Sequence, residues 1–489
     1  MLRLRFIIVV LMMSSGVKCA QRNMEFTLNE AIVLAQQKSP EVMTARNSFI
    51  SAYWRYRSFR ADLRPSLILT SDPTLNRSIN KVTLSDGADK FVEQNLLTSG
   101  LSLSINQNVT FTGGILSLTS NLERLDLLSN NTASYRANLV TIGYRQSLFG
   151  YNSMKWNRKT EPLYYAKAKK EYAASLELVS SAVVRYFFDL AQAQNNLRIA
   201  RYNYACADTL YRFAQRRYKI GSITENDMLQ HEINKLTEEA NVMNAEIELD
   251  NCMQNFRSYL GIPEPKPIIV KTDDDIPSFK VDVDKALRYA YENNPNIDNM
   301  QLRRIESDRQ VAVAKSNAGF KADLYVQLGL TQTADKIKNT YRNPMDQQYI
   351  SINISLPILD WGRGRGNIKV AENNRELEQV RIKQELMDFE QTVKQIIKQF
   401  NLQATRVSIA RKMAETSRRR YDVAMYLYWG EKISMLELNN ALSEKDSAQR
   451  GYITALADFW NYYFTIRKLT LYDFYYDREI TREYELLIK

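Results

Sequence analysis

At 489 residues the chain is long enough for two or three globular domains, and it carries a formal net charge of +11 with a single histidine. One imidazole, His231, removes most of the raw material for histidine-based triads and zinc clusters, so no metal or cofactor is expected. No Walker loop is present, and no later apolar run reaches the ~18 residues of a membrane-spanning helix.

The first element is a leader. Arg3 and Arg5 precede the apolar run from Phe6 to Met13, and Ser14, Ser15 and Gly16 follow, which reads as a secretory signal peptide over 1–20. Cleavage falls after Ala20 or Cys19; Cys19 as a lipid acceptor is disfavoured by the bulky Lys18 before it. Removing Arg3, Arg5 and Lys18 lowers the net charge from +11 to +8. In an exported chain that excess describes a solvated basic face, and nucleic acid is a poor partner for it. Cys206 and Cys252 then remain, at a spacing that fits no metal motif.

"LNEAIVLAQQKSPEV" (28–42) opens an amphipathic helix over 27–60, and "RADLRPSLIL" leads from it into a strand. Alternating stretches at 101–107 and 116–122 flank "FTGG" and predict a hairpin. "NLVTIGYRQSL" (138–148) places Val140, Ile142 and Tyr144 on one face and Thr141, Arg145 and Ser147 on the other. A long helix over 161–218 follows. Its apolar residues recur every seven, at Leu176, Val183, Leu190, Leu197, Tyr204, Tyr211 and Tyr218, with small companions at Ala193, Ala200, Ala207 and Ala214. That period is a coiled-coil seam that permits close helix approach. Gly221, Ser222, Ile223 and Thr224 make a turn, and Thr224 with Asp227 starts a shorter helix to residue 260 at capping-box spacing. "GIPEPKPIIVKTDDDIPSF" (261–279) is too rich in proline and acid for a continuous helix and is read as a linker over 263–281.

Then the chain repeats itself. "VDKALRYAYENNPNI" aligns Ala286, Ala290 and Pro295 with Ala31, Ala35 and Pro40, displaced by about 255 residues, and "NAGFKADLYV" matches "RADLRPSLIL". "QYISINISL" (348–356) sets Ile350, Ile352, Ile354 and Leu356 against Ser351, Asn353 and Ser355. A second ladder (Leu386, Val393, Phe400, Val407, Ala414, Tyr421, Tyr428) lies about 210 residues beyond the first, so copy one holds about 47 extra residues between its first strand and its long helix. Gly430, Lys432, Ile433 and Ser434 form the second turn, with Ser434 and Glu437 in capping-box spacing. The repeats span 21–262 and 282–489. Two strands per copy give four per chain, or six if the insertion joins, too few for one chain to close a barrel in lipid. From one strand alone an ordinary half-buried sheet explains the alternation as well as a wet-lumen barrel does.

Across nearly the whole mature chain, the opening helices ending near "SPEV" and "NPNI", "LRPSL", the strand pairs, "LPILDWG", the long helices and the two glycine turns resemble, in order, the TolC-like outer-membrane efflux protein family. The resemblance implies a mixed α and β membrane protein. A homotrimer pools four strands per chain into a twelve-stranded barrel above a long α-helical coiled-coil tunnel. It implies an exit duct for efflux or type I secretion, in the outer membrane of a Gram-negative cell and reaching into the periplasm. An adaptor protein meets the tips, an inner-membrane transporter supplies the cargo, and Val140, Ile142, Tyr144, Ile350, Ile352 and Ile354 face lipid. It also implies a carboxylate ring at the entrance. Glu437 falls on one ring site and Asn440 on the next, where it departs from the acidic pattern; Asp227 is the counterpart in the first turn. Glu437 is equally explained as a helix cap. Rival readings are a periplasmic adaptor protein, which usually carries one hairpin, and a coiled-coil adhesin.

Overall fold

The computed structural model describes residues 24–480, apart from 84, 86, 130, 264, 265, 274 and 431. The leader over 1–20 and the end of the second repeat, 481–489, lie outside the described residues. A short strand β1 (Met24–Thr27) precedes α1 (Leu28–Lys38) and α2 (Pro40–Asp62). Thr27 starts α1 with a capping box to Glu30. The helix expected to run unbroken from 27 to 60 is interrupted because Pro40 forces the residue before it out of the helical region. Ser39 sits at φ −66, ψ 145 and caps α2. The second copy breaks the same way, with Asn294 ahead of Pro295, between α5 (Val283–Asn293) and α6 (Pro295–Ala318).

The strands are β2 (Ser66–Ser71), β3 (Thr74–Thr83), β4 (Asp89–Val109), β5 (Gly114–Leu127) and β6 (Thr132–Ser147) in the first copy. After β7 (Ile268–Lys271), which pairs in parallel with β1 from within the linker, the second copy supplies β8 (Lys321–Ala334) and β9 (Met345–Ser355). They form one antiparallel sheet in the order β2-β4-β5-β6-β8-β9. β3 pairs with the same edge of β4 as β2 does, past an interruption at Asp72 and Pro73, so the two act as one broken strand. The four strands per chain implied by the resemblance are therefore corrected to six strand positions. The insertion between β2 and β6 is part of the sheet. Its alternation is satisfied by continuous backbone pairing, Leu101 opposite both Ser71 and Leu122.

The long helices are α3 (Ser153–Lys219) and α7 (Arg363–Trp429), each about 100 Å at 1.5 Å per residue. α4 (Glu225–Leu260) and α8 (Met435–Thr470) return from the tips. α1–α2 and α5–α6 pack along the other halves of the long helices. The heptad ladder of α3 is buried at Leu176, Val183, Leu190 and Leu197, together with Phe187, which the ladder omits. This seam continues into Val393, Ile397 and Phe400 of α7 and Leu456 and Phe459 of α8, giving one core shared by both copies. Within it Arg467 reaches the fully buried Glu177 at 2.9 Å and Asp473 at 3.1 Å, tying α8 to α3 by a buried charge cluster. Among the described residues no helix is long and apolar enough to cross a membrane.

Candidate functional site: hairpin tips and strand face

At the first tip the backbone of α3 reverses through Gly221 at φ +71, a left-handed conformation a Cβ disfavours. The Ser222 N–H donates to Arg217 O at 2.8 Å, closing the last turn. Thr224 then accepts from Asp227 N at 3.2 Å, while its own N–H and hydroxyl donate to the Asp227 carboxylate at 3.2 and 2.8 Å. These bonds from Thr224 hold the exposed Asp227 carboxyl below its ordinary value.

The second tip differs. The equivalent closing bond comes from Lys432 N to Leu427 O at 2.9 Å, and Gly430 stands before that turn at φ −86. Of the two tip glycines, only Gly221 needs its freedom from a Cβ for the reversal. A Cβ on Gly430 meets only ordinary contacts. Ser434 and Glu437 make the full reciprocal box, Ser434 N donating to Glu437 Oε2 at 2.8 Å and Glu437 N to Ser434 Oγ at 3.3 Å. Ile433 packs on a small core of Leu210, Tyr421, Ala424, Leu438 and Ala441 that joins α3, α7 and α8 just inside the tips. Glu437 and Asn440 lie on one face of α8, three residues apart, and both are exposed.

The tips also touch each other. Tyr428 OH lies 3.3 Å from His231 Nε2, and Phe213 meets Trp429 edge-on with centroids 5.2 Å apart. Burial pushes the His231 pKa down, with Asp227 opposing it. A polar groove of about 510 Å³ runs between α3, α4 and α8 here. Behind its Tyr421 and Asp446, the buried Lys445 lies against the rings of Tyr202 and Tyr421, at 4.7 and 4.4 Å, and pairs with Asp446 at 3.2 Å. Asn203 donates to Asp446 at 2.8 Å. Sequence reading missed this cluster; the available signal was a Lys-Asp pair on the apolar stripe of α8.

In the sheet, Val140, Ile142 and Tyr144 share a face with Val326 and Leu328 of β8, and Val326 and Leu324 carry the row to Ile350 and Ile352. Ile354 follows on the same face; all three β9 isoleucines are exposed. The opposite face presents Asn106, Ser117, Thr141 and Gln327.

A family model described as outer membrane efflux protein matches residues 31–262 and 286–470, both copies of the repeat. The chain belongs to this family. The efflux-protein fold extends to solved channels. The Campylobacter jejuni CmeC outer membrane channel matches with a TM-score of 0.65 at 15% identity, covering 91% of this chain and 85% of that one. The Vibrio cholerae outer membrane protein VceC matches at 0.61 and 14%, covering 91% and 95%. An uncharacterized Haemophilus influenzae protein is 23% identical over 328 residues, 65% of this chain and 69% of its own length. As an outer membrane efflux protein, the chain is the exit duct of a tripartite efflux system, seated in the outer membrane of a Gram-negative bacterium and reaching into the periplasm.

Proposed function

We propose that three copies of this chain assemble around a continuous axial lumen, with the sheet in the outer membrane and the tips meeting a periplasmic adaptor. The observation that carries this is a pair of unsatisfied apolar stripes on α4 and α7. On α4, Leu229, Ile233, Leu236, Met243 and Ile247 are 44–63% exposed at heptad spacing. On α7, at the same distance from the tips, Leu402, Ile409, Met413 and Val423 are 53–59% exposed. α4 packs on α3 and α7 on α8, so the stripes lie on separate helix pairs of one chain. A seam of this kind is buried when α4 of one copy meets α7 of the next. The sheet supports the same reading, because β2 and β9 are both open edges and lipid tolerates none.

In this assembly Val140, Ile142, Tyr144, Ile350, Ile352 and Ile354 face lipid, and the polar face lines the lumen. Gly221, Ser222, Ile223, Thr224, Gly430, Lys432, Ile433 and Ser434 form the adaptor-docking tips. Glu437, with Asp227 and Asn440 beside it, rings the entrance. An inner-membrane transporter selects the cargo and delivers it through the adaptor. Mass measurement of the detergent-solubilised protein tests the assembly: a trimer is expected, and a stable monomer with intact β-structure would sink it.

A further inference from the structure

We infer that the outer-membrane wall of this duct closes on eighteen strands, giving its mouth a backbone diameter about half as wide again as a twelve-stranded closure would have. The inference rests on the trimeric reading above and on three observations about the insertion that carries β4 and β5.

The first is pairing. β4 and β5 stand between β2 and β6 in antiparallel register, Ser71 to Leu101 to Leu122 to Ala137 along one row. Nothing in the sheet lets β2 meet β6 directly, so any closed wall that includes β2 must run through the inserted pair.

The second is the face. One row of apolar side chains crosses five strands, Leu67, Ile105, Leu118, Ile142 and Leu328, all 39–66% exposed. The row on the other face reads Ser66, Asn106, Ser117, Gly143 and Gln327. The inserted strands thus carry the same lipid-side and lumen-side alternation as their neighbours. A plug inside the lumen, or a flap in water, has no use for an apolar stripe in register with the wall.

The third is the seat. The turn between β4 and β5 has no helix beneath it. It is fastened instead to the two helices on either side. Asn108 Nδ2 donates to Asp62 O at 2.9 Å and Gln107 Nε2 to Leu63 O at 3.1 Å, at the end of α2. From the other side Asn152, whose Oδ1 caps α3, donates through Nδ2 to Thr110 O and Phe111 O, each at 3.2 Å. Gly113 sits at φ +79 with Asn152 so close that a Cβ would lie 2.8 Å from its Cγ. The residue that starts the long helix therefore also holds the inserted hairpin in the wall.

Six positions per chain in a trimer make eighteen. With strands ~4.8 Å apart and tilted ~40°, the backbone diameter is about 36 Å, against about 24 Å for twelve. Such a mouth does not limit what leaves; the size limit falls to the periplasmic entrance, and bulky or polymeric cargo passes the membrane without a second constriction.

The test is cryo-electron microscopy of the full-length protein in lipid nanodiscs, with a strand count in the membrane section. Eighteen is expected. A trimer with twelve wall strands, and β4–β5 folded elsewhere, overturns the inference while leaving the exit-duct reading intact; a monomeric particle overturns both. In a second comparison, residues 72–136 are replaced by Asn-Gly so that Ser71 joins Ala137, neighbours once the insertion is gone. That variant should close on twelve strands, and polyethylene glycols added on the barrel side should enter the wild-type mouth at sizes the variant excludes. Equal exclusion limits in two folded trimers would overturn the inference. If the variant does not fold, the wild-type strand count decides.

Discussion

The hydroxyl of Tyr428 and Nε2 of His231 lie 3.3 Å apart, joining the last turn of α7 to the second turn of α4 although 197 residues separate them in sequence. The contact makes the two tips one unit with a titratable latch. Burial depresses the imidazole pKa, Asp227 raises it and Arg217 lowers it further, with burial the largest effect. A depressed folded value means the fold holds the neutral ring. Its stabilising effect is complete above the unfolded pKa of about 6.5 and is lost as pH falls from there through the folded value. Amide exchange at the tips, corrected for intrinsic rates, should therefore accelerate as pH drops below about 6.5. His231→Gln should abolish that acceleration; an unchanged pH profile in the variant would count against the latch.

The two tip glycines should respond differently to substitution. Gly221→Val forces a β-branched residue to φ +71, at a cost of roughly 1–2 kcal/mol, and should loosen the first tip. Gly430→Ala, at φ −86 with no close neighbour, should leave the second tip unchanged. Hydrogen exchange of each tip and complementation of an efflux-deficient strain read the difference. Equal defects would contradict it.

Glu437 serves its own helix through the reciprocal bonds with Ser434. Glu437→Gln keeps an acceptor for them and removes the charge. If Glu437 rings the entrance, this change should lower cation selectivity in planar bilayers, and Asn440→Asp should raise it. Selectivity unchanged in both variants would leave Glu437 as a helix cap only.

Arg467→Ala should strip the counter-charge from the fully buried Glu177 and cost about 3–5 kcal/mol, read as a lower melting temperature of the trimer. Phe187→Ala, a cavity in the same core, should cost a similar ~3–5 kcal/mol. Arg467→Lys should recover part of the loss, since it restores charge without the two-pronged geometry. A melting temperature equal to wild type in Arg467→Ala would remove the cluster from the stabilising core.

The helical seam was legible because burial of a coiled coil imposes a seven-residue period that survives in the letters, from Leu176 to Leu197. The breaks at Ser39 and Asn294 were also written there, in the prolines that follow, but the continuous amphipathic pattern masked them. Strand number was not legible. The alternation of 101–107 and 116–122 marks strands, yet whether they enter the sheet depends on Leu101 finding Ser71 and Leu122, a long-range pairing with no local signature. The second tip departs from expectation for a smaller reason. It has three residues between glycine and cap where the first has two, so Gly430 falls one place short of the reversal. His231 with Tyr428, and Lys445 between Tyr202 and Tyr421, are meetings of distant segments that no spacing within one helix encodes.

The bond between Glu177 and Arg467 spans 290 residues. Export delivers this chain amino end first, so the central face of α3 reaches the periplasm long before α8, the helix that dries it. Until the last helix arrives, Glu177 lacks Arg467 and the face of α3 that meets α8 stays open to water. Non-local closure of this kind is slow and exposes the chain to aggregation on the way. The shared core thus makes the first copy wait for the last helix of the second, and a chain cut before α8 would leave the Glu177 carboxylate without its counter-charge.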